Sequence, residues 1–224
     1  MSTTPAAKLP LALTCVTSLL VLKVTLSVVL KYGDYFPPNF QSDFLLAREE
    51  YYRGVYEWAF RAHLVSGPIA LILGLLLVSE TFRRRFPKWH RVLGRVQVFG
   101  VLLLVAPSGL YMAPYAQAGP VAAAGFAALA AATAFTVAMG WRSAVRRRFV
   151  AHRRWMWRNF MLLCSAVVIR LIGGLATLCG AQFEWLDPLA AWLSWLAPLA
   201  AFELREWVRY RPDRLPARTL RASS

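Results

Sequence analysis

Residues 146–170 read RRRFVAHRRWMWRNFMLLCSAVVIR, a block of arginines with one histidine and two tryptophans that runs into an apolar segment ending on Arg170. On an α-helix of 3.6 residues per turn, His152 and Arg170 stand a whole number of turns apart, so they share one stripe with about 27 Å between them. One helix therefore presents two polar groups at opposite depths with an apolar stretch between. The rest of the chain reads as a membrane bundle built around that face, and the fold expected is all-α.

Composition points the same way. A chain of 224 residues with 58% hydrophobic and 17% charged residues and a mean hydropathy of +0.46 is too apolar for a soluble domain. The net charge of +15 raises nucleic acid as a partner. That reading needs basic residues interleaved with exposed aromatics on a polar face, whereas here they cluster beside apolar runs, so no nucleic acid is expected. Cys15, Cys164 and Cys179 all fall in or at the ends of apolar segments, and neither a disulfide framework nor a zinc motif follows.

Residues 1–10 form a short N-terminus, and residues 11–30 are long enough to cross a hydrocarbon core of about 30 Å. No Ala-x-Ala cleavage site precedes Lys31, so this run reads as a retained first span with Lys23 inside it. Residues 31–54 are the long polar connection, with turn chemistry at Tyr32-Gly33-Asp34 and Pro37-Pro38-Asn39. Ser42 is expected to cap a short helix whose Phe44, Leu45, Leu46, Tyr51 and Tyr52 lie along the membrane surface.

The second span, 55–79, carries a Glu57/Arg61 pair at its start and then a stripe of His63, Gly67, Ala70 and Gly74, small enough for close approach of a neighbour. Pro87 starts the third span with His90 in its first turn and Gln97 on the same face, and Pro107-Ser108-Gly109 is expected to end it. Residues 118–139, uncharged and rich in Ala and Gly, make a closely packed fourth span. The fifth begins near Trp155 and reaches about 179; the sixth follows Asp187-Pro188 and ends near 202. A bundle over 11–204 is thus followed by a basic tail, 205–224, expected to be irregular.

Orientation follows from the basic residues. Those of 82–95, 142–158 and the tail, together with Lys8, belong on one side. The opposite connections carry Lys31, Arg48, Arg53 and Arg61 against Asp34, Asp43, Glu49, Glu50, Glu57, Glu184 and Asp187. The positive-inside rule then places both termini of a six-span protein in the cytoplasm.

That topology sorts the histidines by depth. His90 and His152 lie at the cytoplasmic starts of the third and fifth spans, which are diagonal in an antiparallel four-helix arrangement. Two neutral imidazoles facing across a gap are the arrangement that grips the iron of one b-type haem, with Arg91, Arg153 and Arg154 placed for its propionates. The alternative is that each histidine hydrogen-bonds a helix end among its arginines. Lys23, His63 and Arg170 fall in one outer layer with no acid at that depth. A carboxylate-bearing or quinone-like headgroup, a haem propionate or a lipid headgroup would supply the missing acceptors.

Five stretches carry a resemblance: HLVSGPIALILGLLLVS from His63, HRVLGRV from His90, SGLYMA from Ser108, GFAALA from Gly125 and AHRRWMWRNFMLLCSAVVIRL from Ala151. Over residues 60–175 the chain resembles a bacterial membrane family, the predicted membrane proteins catalogued as domain of unknown function 2306. The resemblance implies a multi-pass protein of the bacterial inner membrane, and it puts His63, His90, His152, Trp155, Met156, Arg158 and Arg170 at the family's motif positions. It implies no activity. The chain is also similar to b561-type cytochromes, which hold haems between histidines on alternating helices. With three histidines, at most one bis-histidine haem fits.

Three functions are compatible with these residues. The first is electron transfer with one haem b at the cytoplasmic side and a quinone-like or other small redox partner near Arg170. The second is a non-catalytic membrane protein whose basic loops bind anionic lipid headgroups or a partner. The third is small-molecule transport, although no inverted repeat is visible in the six spans.

Overall fold

The computed structural model describes residues 5–42, 44–181 and 183–209, with side chains from Cys15 to Val208. Among them there is no β-strand. The chain forms α1 (Pro5–Leu30), a 3-10 turn (Lys31–Asp34), a short α2 (Glu49–Tyr52), α3 (Val55–Val78), a short α4 (Glu80–Arg85) and α5 (Pro87–Gly100). A π-turn (Val101–Val105) then leads into α6 (Ala106–Met112), followed by α7 (Gly119–Val145), α8 (Phe149–Leu163), α9 (Ser165–Leu178) and α10 (Leu186–Arg209).

Five helical stretches are long and apolar enough to cross a membrane: Cys15–Asp34, Val55–Val78, Pro87–Tyr115, Gly119–Val145 and Phe149–Leu178. Their middles expose large apolar side chains, among them Leu19, Leu22, Leu26, Ile69, Leu103, Phe135 and Leu175. Water would penalise that surface and hydrocarbon does not. The chain is an all-α membrane bundle. α10, at 24 residues, is long enough but carries Asp187, Glu203, Arg205, Glu206 and Arg209, and is not one of the five.

The central four-helix unit is read from which helices touch. α3 packs on α5 and on α8, and α7 packs on α6 and α8, which leaves α3 facing α7 and α5 facing α8 across the diagonals. α1 lies outside on α3 and α9, and α10 covers α7, α8 and α9. Leu71, Val98, Val101, Val137, Phe160 and Leu163 fill the centre. Two buried amides cross-link the unit at mid-depth: Gln97 donates to the Ala70 carbonyl at 3.0 Å, and Asn159 donates to the Thr133 carbonyl at 3.0 Å and to Thr136 Oγ1 at 3.2 Å.

Small residues set the approach of the helices. A Cβ on Gly74 would meet Phe160 Cδ2 at 3.0 Å, and one on Gly140 would meet Met156 Sδ at 2.6 Å. One on Gly125 would meet Trp192 Nε1 at 3.0 Å, and that indole donates to the Val121 carbonyl, docking α10 on α7. Gly67 has nothing within 4 Å of its would-be Cβ, so the small stripe below His63 meets a neighbour at Gly74 and not at Gly67.

Several expected boundaries move. The third span does not stop at Pro107-Ser108-Gly109; the helix runs on to Tyr115. The π-turn just before Pro107 widens the backbone and relieves the crowding of the proline ring, and the Ser108 hydroxyl donates to the Leu104 and Val105 carbonyls one turn back. Ser42 caps no helix. Its carbonyl instead accepts from the Leu45 and Leu46 amides, and the short helix lies later, at Glu49–Tyr52. The fourth span reaches Val145, the fifth starts at Phe149 and bends at Cys164, and α10 continues to Arg209, so residues 205–209 are helical; residues 210–224 and 1–4 lie outside the described residues.

Candidate functional site

The end of the bundle opposite the arginine-rich turns is closed by an aromatic cap. Tyr35, Leu45, Tyr52, Tyr56 and Phe60 are buried together. Arg48, itself only 7% exposed, fastens this cap by donating to the Phe44 and Tyr115 carbonyls and to the Tyr51 and Tyr56 hydroxyls. Sequence reasoning missed this arginine, because its partners come from four separated positions.

Beside the cap lies a cavity of about 400 Å³ to which α1, α3 and α9 all contribute, and its lining includes Lys31, Tyr35, Phe60, His63, Met112 and Arg170. Among the described residues, no Asp or Glu lines it. Two of the three outer-layer residues therefore meet in one place. Lys23 does not line it; it is exposed on α1, and Ser27 and Lys31 reach the cavity from the same helix end instead. Arg170 uses one guanidinium nitrogen on the Ala166 carbonyl at 2.8 Å and stands in electrostatic range of His63 and Tyr35.

The tautomer of His63 follows from its neighbours. Its Nδ1 is 3.3 Å from the Val105 carbonyl, which can only accept, and 3.1 Å from Ser108 Oγ. The Ser108 hydrogen is directed to the Leu104 and Val105 carbonyls, so Oγ accepts as well. Nδ1 therefore carries the proton, and Nε2 is left as an acceptor. The π-turn makes this possible, because it offers the Val105 carbonyl sideways to α3.

At the other end, His152 bonds through Nδ1 to the Gly140 carbonyl at 2.9 Å. A carbonyl accepts only, so Nε2 of His152 is again the lone-pair nitrogen. His90 is half-buried, and its Nδ1 is buried without a hydrogen-bond partner. His152 on α8 stands in electrostatic range of His90 on α5. As donors they fit a metal or haem iron, since a ligating imidazole usually passes its other N–H to a carbonyl as His152 does. Neither this cavity nor the larger one beside α8 is lined by His90 or His152, and Met156, one turn from His152, presses its sulfur on Gly140. No ring-wide slot is open between them in either cavity.

Of the expected propionate partners, Arg154 is paired with an acid of α10, Glu206, at 3.3 Å, Arg153 lies in electrostatic range of Glu80, and Arg91 is exposed. Arg158 grips Glu203 with both arms of its fork, with Nη2 to Oε2 at 2.9 Å, and lies 4.8 Å from the centroid of the Trp155 ring. These two acids are the residues that sequence reasoning overlooked. Spacing along either helix does not announce the pairing, because the arginines stand on α8 and the acids on α10.

No characterised protein and no solved structure matches the chain, and nothing connects it to the b561-type cytochromes. A family model does match, over residues 60–205, a range that takes in His63, His90, His152, Arg170 and also Glu203 on α10. It leaves out α1, Arg48 and every one of the buried cap residues except Phe60. The chain accordingly belongs to the family of predicted membrane proteins DUF2306.

Proposed function

We propose that the chain is a six-span protein of the bacterial inner membrane, with both termini in the cytoplasm, that binds a small amphipathic molecule bearing a quinone-like carbonyl or a carboxylate in the outer cavity. The observation that supports this is the convergence of His63 and Arg170 on one cavity whose described lining is mostly apolar. Arg170 donates to a carbonyl or carboxylate oxygen, and His63 Nε2 accepts from a hydroxyl, so the pair reads both oxidation levels of a quinone-like ring. Phe60, Leu64 and Met112 cover the ring. A volume of about 400 Å³ lies within the range of small-molecule sites. The test is binding of a short-tailed quinone to the purified protein. We expect saturable binding to wild type and about tenfold weaker binding to Arg170→Gln, the loss of one charged hydrogen bond. Wild type that binds neither the quinone nor a fatty carboxylate overturns the proposal.

A second reading, electron transfer through one b-type haem, is favoured by His90 and His152 standing in electrostatic range of each other and by the hydrogen bond of His152 Nδ1 to a carbonyl. The haem would supply a one-electron couple, with the two imidazoles as axial ligands. An absorption spectrum of protein from haem-replete cells tests it. A Soret band lost in His90→Ala and His152→Ala but kept in His63→Ala is expected. A colourless protein retires this reading and leaves a non-catalytic ligand-binding protein or a transporter.

A further inference from the structure

A flank of α8 is used by neither site. There a cavity of about 640 Å³ is lined by Arg147, Arg148, Arg154 and Arg158 on its polar side and by Phe149 and Trp155 on its apolar side. Glu203 and Glu206 hold Arg158 and Arg154 in place and neutralise part of their charge. Arg147 and Arg148 sit exposed on the turn that joins α7 to α8, and residues 142–158 contain no acid. The apolar side chains beside them are as exposed as the arginines: Phe149 is 62% exposed and Val150 64%. Arginines that alternate with bare aromatic and aliphatic side chains at the end of an apolar helix suit the boundary where hydrocarbon gives way to phosphate.

We propose that this cavity seats the headgroup of an anionic phospholipid. Its phosphodiester meets the forks of Arg147 and Arg148, and its glycerol and first acyl carbons lie against Phe149 and Trp155. Guanidinium suits this role because its planar donors match two phosphate oxygens at once. Arg154 and Arg158, already held by α10, form a fixed wall and carry little of the selectivity. The inference needs only that the bundle crosses a membrane. It stands apart from the outer ligand site, and a failure of either leaves the other untouched.

The test is lipid competition on purified full-length protein, with phosphatidylglycerol against phosphatidylcholine, read by native mass spectrometry. Wild type should retain phosphatidylglycerol in preference. Arg147→Gln/Arg148→Gln should lower that preference by about thirtyfold, at about fivefold per basic residue, with unfolding in phosphatidylcholine unchanged. Lys88→Gln/Arg95→Gln, on the basic first half of α5, serves as the control and should keep the preference. Equal retention of the two lipids by wild type overturns the proposal, as does a control that loses as much as the test variant. Displacement of the lipid by millimolar inorganic phosphate overturns the lipid assignment in favour of a free-anion site. Should the double variant unfold, Arg147→Lys/Arg148→Lys replaces it. Charge is kept there and the fork is lost, so a partial loss of preference is expected, and a complete retention counts against the proposal.

Discussion

Gly74 and Gly67 occupy the same stripe of α3 one heptad apart, yet their surroundings differ. At Gly74 a new Cβ lands 3.0 Å from Phe160 and 3.4 Å from Leu163, whose positions are fixed by the packed centre. At Gly67 it lands in open space. Gly74→Leu should therefore cost about 1–3 kcal/mol by overpacking. Gly67→Ala should be neutral or slightly stabilising, because glycine is the poorer helix former by about 1 kcal/mol. Thermal unfolding in detergent checks both, and equal effects would contradict the packing of α3 against α8. A second residue-scale test concerns Arg158 and Glu203, half-exposed but bidentate. A double-mutant cycle with Arg158→Gln and Glu203→Gln should give a coupling of about 1 kcal/mol, the upper end for a pair that water still reaches. Zero coupling would mean that this pair adds nothing to the hold of Trp192, Glu206 and the apolar face on α10.

At the scale of elements, the π-turn at Val101–Val105 links fold and site. It carries the helix through Pro107 and presents to His63 the carbonyl that sets its tautomer. Ser108→Ala removes one of the two acceptors near Nδ1 and leaves the Val105 carbonyl at 3.3 Å, so quinone binding should weaken a few-fold while the bundle stays folded. A loss as large as that of Arg170→Gln would mean that Ser108 itself touches the ligand. The turn also explains where the sequence misleads. Pro107-Ser108-Gly109 has the local chemistry of a helix end, and no local pattern announces an extra residue in the preceding turn. The diagonal of α5 and α8 was legible, since short connections between antiparallel spans leave few other arrangements. So was the Glu57/Arg61 pair, which is a matter of i,i+4 spacing. Arg158 with Glu203 was not. Residues forty-five positions apart meet only because α10 folds back over α8, and spacing along one helix cannot report a partner on another. The cap was misread for the same reason. The apolar side of 44–52 was expected to lie on the membrane; Leu45 and Tyr52 turn inward beside Arg48, which gathers Tyr56 and Tyr115 around it, while Phe44 and Leu46 stay exposed.

For the whole molecule, the question is whether α10 crosses. Between Asp187 and Glu203 no residue is charged, which gives about 22 Å of helix at 1.5 Å per residue, short of a hydrocarbon core of about 30 Å. The acids beyond it decide the matter. Glu203 and Glu206 face α8 and are paired with Arg158 and Arg154, so the last apolar turns are extended by groups whose charge is already compensated. α10 also docks along α7 through Trp192 at one end and along α8 through the paired acids at the other, which commits it to run the length of the bundle. We therefore expect it to cross. Single cysteines at Asn39, Lys88, Glu184 and Ser224, in a chain whose Cys15, Cys164 and Cys179 have been replaced, should label in two groups from outside intact cells. Asn39 and Glu184 should react with an impermeant maleimide, and Lys88 and Ser224 should react only after permeabilisation. Glu184 and Ser224 reacting from the same side would reduce the protein to five spans with α10 folded along the surface. Asn39 and Lys88 reacting from the same side would refute the alternation of the central helices itself.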